Sequence, residues 1–214
     1  MNRTRVLASA FLLAAAAPTH AANLIVNGSF EEGAFVGGTT TSWNGIPDGG
    51  TAVTGWVAGT NGFDWHQAVE FGPAKDGYRM VDLTLGSANG AISQTFATVA
   101  GHAYELRFAV TAPGPFFGPA ALEVSVGDAA ASYSVSRSPT FPLSWETKTL
   151  GFRATSSATT LVFAGPASGA YWGPVIDDVS VTAAVPEPET YAMMLAGLGV
   201  FGFVARRRKQ ATTA

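Results

Sequence analysis

The chain has 214 residues, a formal net charge of -3 and no cysteine. Without the two terminal signals described below, residues 22–184 carry six basic side chains against thirteen acidic ones, a net charge of about -7. A domain this acidic lacks the basic face that phosphate contacts need, so the composition excludes a nucleic-acid-binding protein. Without cysteine no disulfide forms, and we expect the stability to come from a hydrophobic core or a bound metal.

The N-terminus has the three parts of a secretory signal peptide. Two arginines precede an apolar stretch that ends at Pro18, and Ala21 supplies the small residue that signal peptidase requires. The stretch is short for a permanent span, which takes about 20 apolar residues. We expect residues 1–21 to form a signal helix that is removed after Ala21, with Ala22 as the second choice. The other interpretation is a buried N-terminal helix.

Residues 22–184 have the size of one domain, and their hydrophobic pattern is typical of β-strands. Apolar residues alternate with polar or small ones over Tyr104–Thr111, which is the period of two that a half-buried strand shows. The alternation recurs over Ile92–Thr98 and Leu122–Val126, and clusters of Gly, Pro, Asn, Asp and Ser separate the runs. We therefore predict an all-β fold, a single antiparallel β-sandwich of the jelly-roll kind.

The two ends of this domain resemble a known kind of sandwich. Asn23–Glu31 is similar to the first strand, and Val175–Thr182 to the last strand, of galactose-binding-like carbohydrate-binding modules. Five segments between them resemble the choice-of-anchor C group of bacterial exported proteins: Gly62–Trp65, Lys75–Gly77, Met80–Leu83, Gly90–Gly101 and Tyr104–Phe108. The resemblance implies a galactose-binding-like sandwich and contact with polysaccharide, without an established reaction. The group's plant relatives carry two tandem sandwiches, whereas this chain has room for one.

In the modules that the domain resembles, a calcium ion often joins the first strand to the last. Here Glu31 ends the first segment, and Asp177 and Asp178 lie near the start of the last. Alternation places Asp177 on the same face as Val179 and Val181, where an unpaired carboxylate would be costly. The three acids are therefore candidate ligands of a structural calcium ion, which takes oxygen ligands. The alternative is that they cap turns and accept backbone hydrogen bonds.

The domain shows no recognised catalytic motif. It contains two histidines and lacks a Gly-x-Ser-x-Gly nucleophile elbow, a His-Glu-x-x-His zinc motif and a phosphate-binding glycine motif. His66 follows Asp64 at the spacing of a base and its orienting carboxylate, but a surface histidine is the simpler interpretation in a chain rich in polar loops. We expect no enzymatic activity.

Five tryptophans are candidates for sugar contacts, because their flat faces bury a large area and keep a polar N–H group. Trp56 and Trp145 have strand-like neighbours, and we assign both to packing. Trp43, Trp65 and Trp172 lie in Gly-rich or polar surroundings that are more typical of loops. We predict a ligand-binding rim formed by Asp64, Trp65 and Trp172.

The C-terminus carries a second signal in three parts. Val185–Glu189 contains two prolines, which end the preceding strand, and residues 191–205 are apolar without a charge. A basic cluster follows at residues 206–209, and positive charge at this end stays cytoplasmic, which places the domain outside the cytoplasm. The order of the parts resembles the PEP-CTERM sorting signal, whose motif residues here are Pro186, Glu187, Pro188, Arg206, Arg207 and Arg208.

This second resemblance implies recognition by an exosortase-type membrane enzyme, cleavage near the Pro-Glu-Pro motif and delivery to the cell surface or extracellular matrix. We expect the tail, residues 185–214, to hold the chain transiently in the membrane through a short transmembrane helix at 191–205. An ordinary tail anchor is the alternative.

Together the signals and the sandwich favour an exported, non-enzymatic surface or matrix protein that binds polysaccharide, with the cell's own exopolymer as the expected ligand. One alternative is a structural matrix protein that contacts other proteins and binds no sugar. Another is a secreted glycan-active enzyme, which would need two carboxylates facing each other across a cleft.

Overall fold

The computed structural model describes residues 22–36, 42–86, 88–114, 118–165, 172–184, 195–200 and 202. The predicted signal helix, the Pro-Glu-Pro motif and the basic cluster lie outside these residues. Of the predicted apolar helix at 191–205, residues 195–200 are helical. Within the described part of the chain, no helix is long and apolar enough to cross a membrane.

The described residues of the domain form thirteen strands and one short helix. In chain order they are β1 (Trp43–Ile46), β2 (Val57–Ala58), β3 (Phe63–Gln67), α1 (Ala68–Phe71), β4 (Arg79–Asp82), β5 (Thr84–Leu85), β6 (Ala88–Asn89), β7 (Ala91–Ala97), β8 (Ala103–Thr111), β9 (Ala120–Val126), β10 (Ala129–Val135), β11 (Glu146–Arg153), β12 (Ala158–Ala164) and β13 (Val175–Ala183). Most of the longer strands lie where the sequence alternates between apolar and polar residues.

The strands assemble into two large antiparallel sheets and one small hairpin. The six-stranded sheet has the order β1-β3-β4-β13-β8-β11, and the five-stranded sheet has the order β10-β9-β12-β7-β2. β5 and β6 form the hairpin. The two sheets pack face to face through one hydrophobic core, so the prediction of a single antiparallel β-sandwich is confirmed.

The alternation in β9 shows why these segments become strands. Leu122, Val124 and Val126 are buried between the sheets, whereas Glu123 and Ser125 are exposed on the other side. Successive side chains of a strand point to opposite faces, so one sequence supplies both a core face and a solvent face. The pattern fixes the register, because a slip by one residue would expose the apolar set.

Aromatic side chains dominate the core between the sheets. Trp56, Phe108 and Phe163 are fully buried, and the ring centroid of Phe163 lies 6.5 Å from that of Trp56 and 5.0 Å from that of Phe108. Large rings in tilted or edge-on contact contribute more buried area than any aliphatic neighbour. The assignment of Trp56 to packing is therefore confirmed.

The N-terminal segment of the domain runs beside the last strand. The Leu24 N–H donates to the Val181 carbonyl at 2.8 Å, and the Val179 N–H donates to the Gly28 carbonyl at 2.9 Å. The Asn23 side chain accepts a further hydrogen bond from the Val181 N–H at 2.9 Å. The two motifs at the ends of the domain are thus neighbours, although residues 23–31 form an irregular segment and not the predicted first strand.

A β-bulge in β13 changes which side chains share a face. The register against β8 shifts between Asp177 and Ser180, and Asp178 adopts a left-handed backbone with φ 51°. Val179 and Val181 therefore point into the core, whereas Asp177 points away from it beside Ala109. The expectation that Asp177 shares a face with the two valines is wrong, because simple alternation contains no bulge.

Close packing of the two ends of the domain predicts that any side chain at position 28 destabilises the fold. A Cβ atom at Gly28 would lie 1.9 Å from the Val179 carbonyl oxygen, whereas at Gly151 in β11 it would meet nothing within 4 Å. We expect Gly28→Ala to lower the free energy of unfolding by about 2 to 3 kcal/mol through overpacking, and Gly151→Ala to change it little. Urea unfolding of both variants tests this; equal stability of the two would contradict the packing described.

Candidate functional site

Four side chains that could bind a ligand or take part in chemistry lie on the face of the six-stranded sheet that points away from the core. We call this the outer face. Trp43 in β1 pairs directly with His66 in β3, and Asp64 in β3 pairs directly with Asp82 in β4. Directly opposed residues of antiparallel strands project to the same face. Trp65, which lies between Asp64 and His66, therefore projects to the core.

Helix α1 and the neighbouring loops cover part of the outer face. Met80, Leu143 and Val175 form a second buried cluster there. Four partly buried side chains pack against it: Ala68, Ala74, Trp145 and Trp172. This second cluster explains why Phe108–Thr111 at the end of β8 is buried on both faces.

Three polar side chains under this cover form the acid–histidine cluster, defined as Asp64, His66 and Asp82. All three are buried, with Asp82 at 0% exposure, so the expectation of a surface histidine at position 66 is wrong. One oxygen of Asp82, Oδ1, accepts hydrogen bonds from Thr84 Oγ1 at 3.0 Å and from the Gly173 N–H at 2.9 Å. Its other oxygen, Oδ2, has no hydrogen-bond partner among the described residues.

Burial controls the protonation of Asp82. Loss of hydration raises the pKa of Asp82 from 3.8 to about 7, although His66 and the hydrogen bonds from Gly173 and Thr84 act in the opposite direction. Asp64 and Asp82 are adjacent in one sheet and buried, whereas the carboxylates of glycosidases face each other across an open cleft. The pair therefore does not have the geometry of a glycosidase.

Two other carboxylates hold the loop between α1 and β4. Asp177 Oδ2 accepts hydrogen bonds from the N–H groups of Lys75 and Asp76, at 2.7 and 2.9 Å. Glu31 Oε1 accepts hydrogen bonds from the N–H groups of Tyr78 and Arg79, at 2.7 and 2.6 Å. We call Glu31 and Asp177 the carboxylate clamp, because together they fix both halves of the loop.

Burial also affects the clamp. It raises the pKa of Asp177 to about 7, against the backbone N–H groups of Asp76, Asp178 and Lys75, which favour the ionised form.

The three acids predicted to bind calcium do not share one site. Glu31 and Asp177 hold backbone N–H groups, as the alternative interpretation proposed, and Asp178 forms an ion pair with Arg107 at 2.9 Å. Among the residues that the structure describes, no three His, Asp or Glu side chains are arranged to bind a metal ion. Structural calcium stays a prediction. The three carboxylates give it no support, because each already binds backbone N–H groups or an arginine.

The predicted sugar-binding rim of Asp64, Trp65 and Trp172 does not form. Trp65 is 0% exposed, and its indole N–H donates to the Phe30 carbonyl at 3.0 Å. Its ring also packs under the Arg79 guanidinium. Trp65 is therefore a core residue, and that prediction is wrong. Asp64 lies on the opposite face of β3, and Trp172 is partly buried against the second buried cluster on the outer face.

Three exposed aromatic side chains lie near the two ends of α1 instead, and we call them the aromatic edge. Trp43 is 46% exposed, Tyr78 51% and Phe141 53%. Backbone hydrogen bonds from Gln67 to Ser42 and from Ala68 to Tyr78 bring the first two to one end of the sheet. Phe141 joins them because Pro142 packs against Gly72, directly after α1.

Trp43 lies closest to the acid–histidine cluster. A Cβ atom built on Gly45 would lie 3.5 Å from Asp64 Oδ1 and 3.5 Å from Cζ3 of the Trp43 ring. Leu85 Cδ1 lies 2.8 Å from the same Cβ position, so Leu85, the Trp43 ring and the buried Asp64 Oδ1 meet around Gly45. The sequence predicted a loop at Trp43 and no binding role for it; its polar surroundings were the signal that it is exposed.

Residues 23–182 match the family described as "Protein of unknown function (DUF642)". The chain belongs to the DUF642 family. Residues 184–209 match the PEP-CTERM protein-sorting motif, which confirms the predicted sorting signal and indicates export and sorting to the cell surface.

Several known proteins are similar to this DUF642 chain. Halomucin of Haloquadratum walsbyi is 31% identical over 173 residues, which are 79% of this chain and 2% of Halomucin. Among solved structures, TmCBM61 in complex with β-1,4-galactotriose is 18% identical with a TM-score of 0.47, over 76% of this chain and 99% of that one. A family 35 carbohydrate binding module from Clostridium thermocellum is 12% identical with a TM-score of 0.46, over 67% and 100%. These structural likenesses concern the fold alone.

The raised pKa of Asp82 predicts a pH-dependent stability. The folded domain keeps a proton that the unfolded chain releases above pH 3.8, so the free energy of unfolding falls as the pH rises from about 4 to about 7. Asp177 acts in the same direction. Asp82→Asn should reduce the slope by up to about 1.4 kcal/mol per pH unit. Urea unfolding across this range measures both slopes, and identical slopes would refute the assignment.

Proposed function

We propose that this protein is a non-enzymatic component of the cell surface or extracellular matrix whose sandwich binds polysaccharide through the aromatic edge. The observation that carries the proposal is the Trp43 ring, which is 46% exposed at the end of β1, with Tyr78 and Phe141 also about half exposed near α1. An indole face of this kind can stack on the C–H groups of a sugar ring, while its N–H group remains available for a hydrogen bond to a hydroxyl group.

The position of Tyr78 and Phe141 supports the same proposal. Both rings are about half exposed although each is large and apolar, and both lie beside α1 together with Trp43. Exposed apolar side chains that gather in one place mark binding surfaces more often than scattered ones do. Three rings at one edge suit an extended polymer, because successive sugar units can contact successive rings.

A structural role without sugar binding is the second candidate. Val26 and Val57 are 55% and 44% exposed, and the five-stranded sheet to which Val57 belongs carries none of the aromatic edge. Such a surface suits contacts with other proteins. The sugar-binding experiment below separates the two candidates.

Removal of the Trp43 ring should abolish most of the affinity. We expect Trp43→Ala to weaken binding to β-1,4-galactotriose or to purified exopolysaccharide by about tenfold or more, since one buried aromatic side chain contributes roughly 1.5 to 3 kcal/mol. Val57→Ala is the matched control on the other sheet and should bind as the wild type does. Isothermal titration calorimetry measures both. Equal affinity of Trp43→Ala and wild type would reject the aromatic edge, and no binding by the wild type to any glycan would favour the structural role.

For export we propose removal of the signal peptide after Ala21 and processing near Pro186–Pro188 by an exosortase-type enzyme. Before processing, the apolar residues 191–205 hold the chain in the membrane and Arg206–Arg208 remain cytoplasmic. The short apolar length suits transient anchoring, and the basic side chains extend its reach by placing their charges at the interface.

Replacement of the Pro-Glu-Pro motif should stop release from the membrane. In a host with an exosortase system, we expect the Pro186–Pro188 triple alanine variant to stay in the membrane fraction, while Thr212→Ala, beyond the basic cluster, behaves as wild type. Mass spectrometry of the surface fraction locates the C-terminus. Recovery of surface protein with an intact tail would contradict the proposed processing.

A further inference from the structure

The two large sheets end in four edge strands, and one of them differs from the others. β1 and β2 are short, with four and two residues, and β11 carries Glu146, Lys148 and Arg153. β10 has seven residues and contains no charge, no proline and no glycine. Short length and charged side chains are the usual protections against pairing between sheet edges. β10 lacks both.

The free edge of β10 presents three residues. A two-residue turn joins β9 to β10, with Val126 and Ala129 as the closing pair, so the odd-numbered residues of β10 form hydrogen bonds with β9. The backbone groups of Ala130, Ser132 and Ser134 therefore point away from β9. No hydrogen bond from any described residue reaches them.

We propose that β10 pairs antiparallel with β10 of a second copy of this chain across a two-fold axis. Centred on Ser132, this register places Ser132 opposite its own copy and Ala130 opposite Ser134. Each of these pairs exchanges two backbone hydrogen bonds. The pairing uses the same surface on both copies, as a closed two-fold dimer requires.

The charge distribution favours a second copy at this position. Two domains with a net charge of about -7 repel each other over most of their surface. The sheet face beside β10 forms a shallow groove of about 520 Å³ lined by small side chains such as Ser125, Ala130 and Ser132, and Glu123 is its one charged lining residue among those described. Apart from Glu123, which pairs with Ser132 from β9, no charged residue that the structure describes lines this groove, and serines that meet across the axis can hydrogen-bond.

The dimer has a consequence that rests on the proposed sugar binding. β10 lies at the end of its sheet that contacts β11, and β1 lies at the opposite edge of the other sheet. Pairing through β10 therefore places the two aromatic edges at the far sides of the dimer. The dimer would then present two binding sites, one on each copy, whereas a single sandwich has one. Two such sites can bind two polymer strands at once.

Cross-linking tests the register, because the chain has no cysteine of its own. In the full-length chain in mild detergent, Ser132→Cys should form a covalent dimer with a short bismaleimide cross-linker. Ser125→Cys is the matched control, since Ser125 lies on the same face but one strand further in. Equal cross-linking of both variants would indicate stacking of the sheet faces and would overturn the pairing of edges. Absence of a covalent dimer with Ser132→Cys would also overturn it.

A proline at the same position tests the hydrogen bonds. The Ser132 N–H points away from β9, so Ser132→Pro is tolerated in an edge strand while it removes a donor from each copy. We expect dimer association to weaken by about tenfold or more, since each lost pair of hydrogen bonds costs 1 to 3 kcal/mol. Light scattering measures the mass, and the thermal midpoint reports folding. Ser132→Lys repeats the test with a charge. If Ser132→Pro and Ser132→Lys are both folded and still dimerise as the wild type does, the proposal is overturned. The sugar-binding result for Trp43→Ala tests the proposed function separately, because it does not depend on the dimer.

Discussion

The carboxylate clamp determines where the candidate site lies. Glu31 comes from the N-terminal segment and Asp177 from the last strand, and both accept backbone N–H groups of the loop between α1 and β4. The two ends of the domain are themselves tied together by hydrogen bonds to Val179 and Val181. Closure of the sandwich therefore fixes the loop, and the loop carries Tyr78 to the end of the sheet where Trp43 begins β1. The bonds are strongest where the carboxylates are ionised, because charge-assisted hydrogen bonds are stronger than neutral ones.

This arrangement buries acids that would be more stable in water. Asp82 and Asp177 are fully buried, and burial raises the pKa of each to about 7. An apolar residue at position 82 would avoid the loss of hydration, so stability alone does not account for the acid–histidine cluster. Its hydrogen bonds account for it better, because Asp82 Oδ1 ties the end of β4 to Thr84 and to Gly173 and so holds this part of the sheet in one conformation.

Periodicity predicted the sandwich well and the binding residues poorly. Alternation in β8 and β9 identified core-facing residues such as Leu106 and Val124. It failed at β3, where Asp64, Trp65 and His66 are all buried because loops cover the outer face. It also failed at the bulge in β13, since nothing in the local sequence marks the extra residue. Exposure of a tryptophan depends on distant segments, which a local pattern does not contain.

Trp43 is the tryptophan proposed to bind sugar, and the indole N–H signals of an ¹⁵N-labelled chain test this most directly. On titration with purified exopolysaccharide, the signal of Trp43 should shift, while those of Trp56 and Trp65 in the core should stay in place. A titration in which the Trp43 signal does not move, although another tryptophan shifts or binding is measured by calorimetry, would contradict the account.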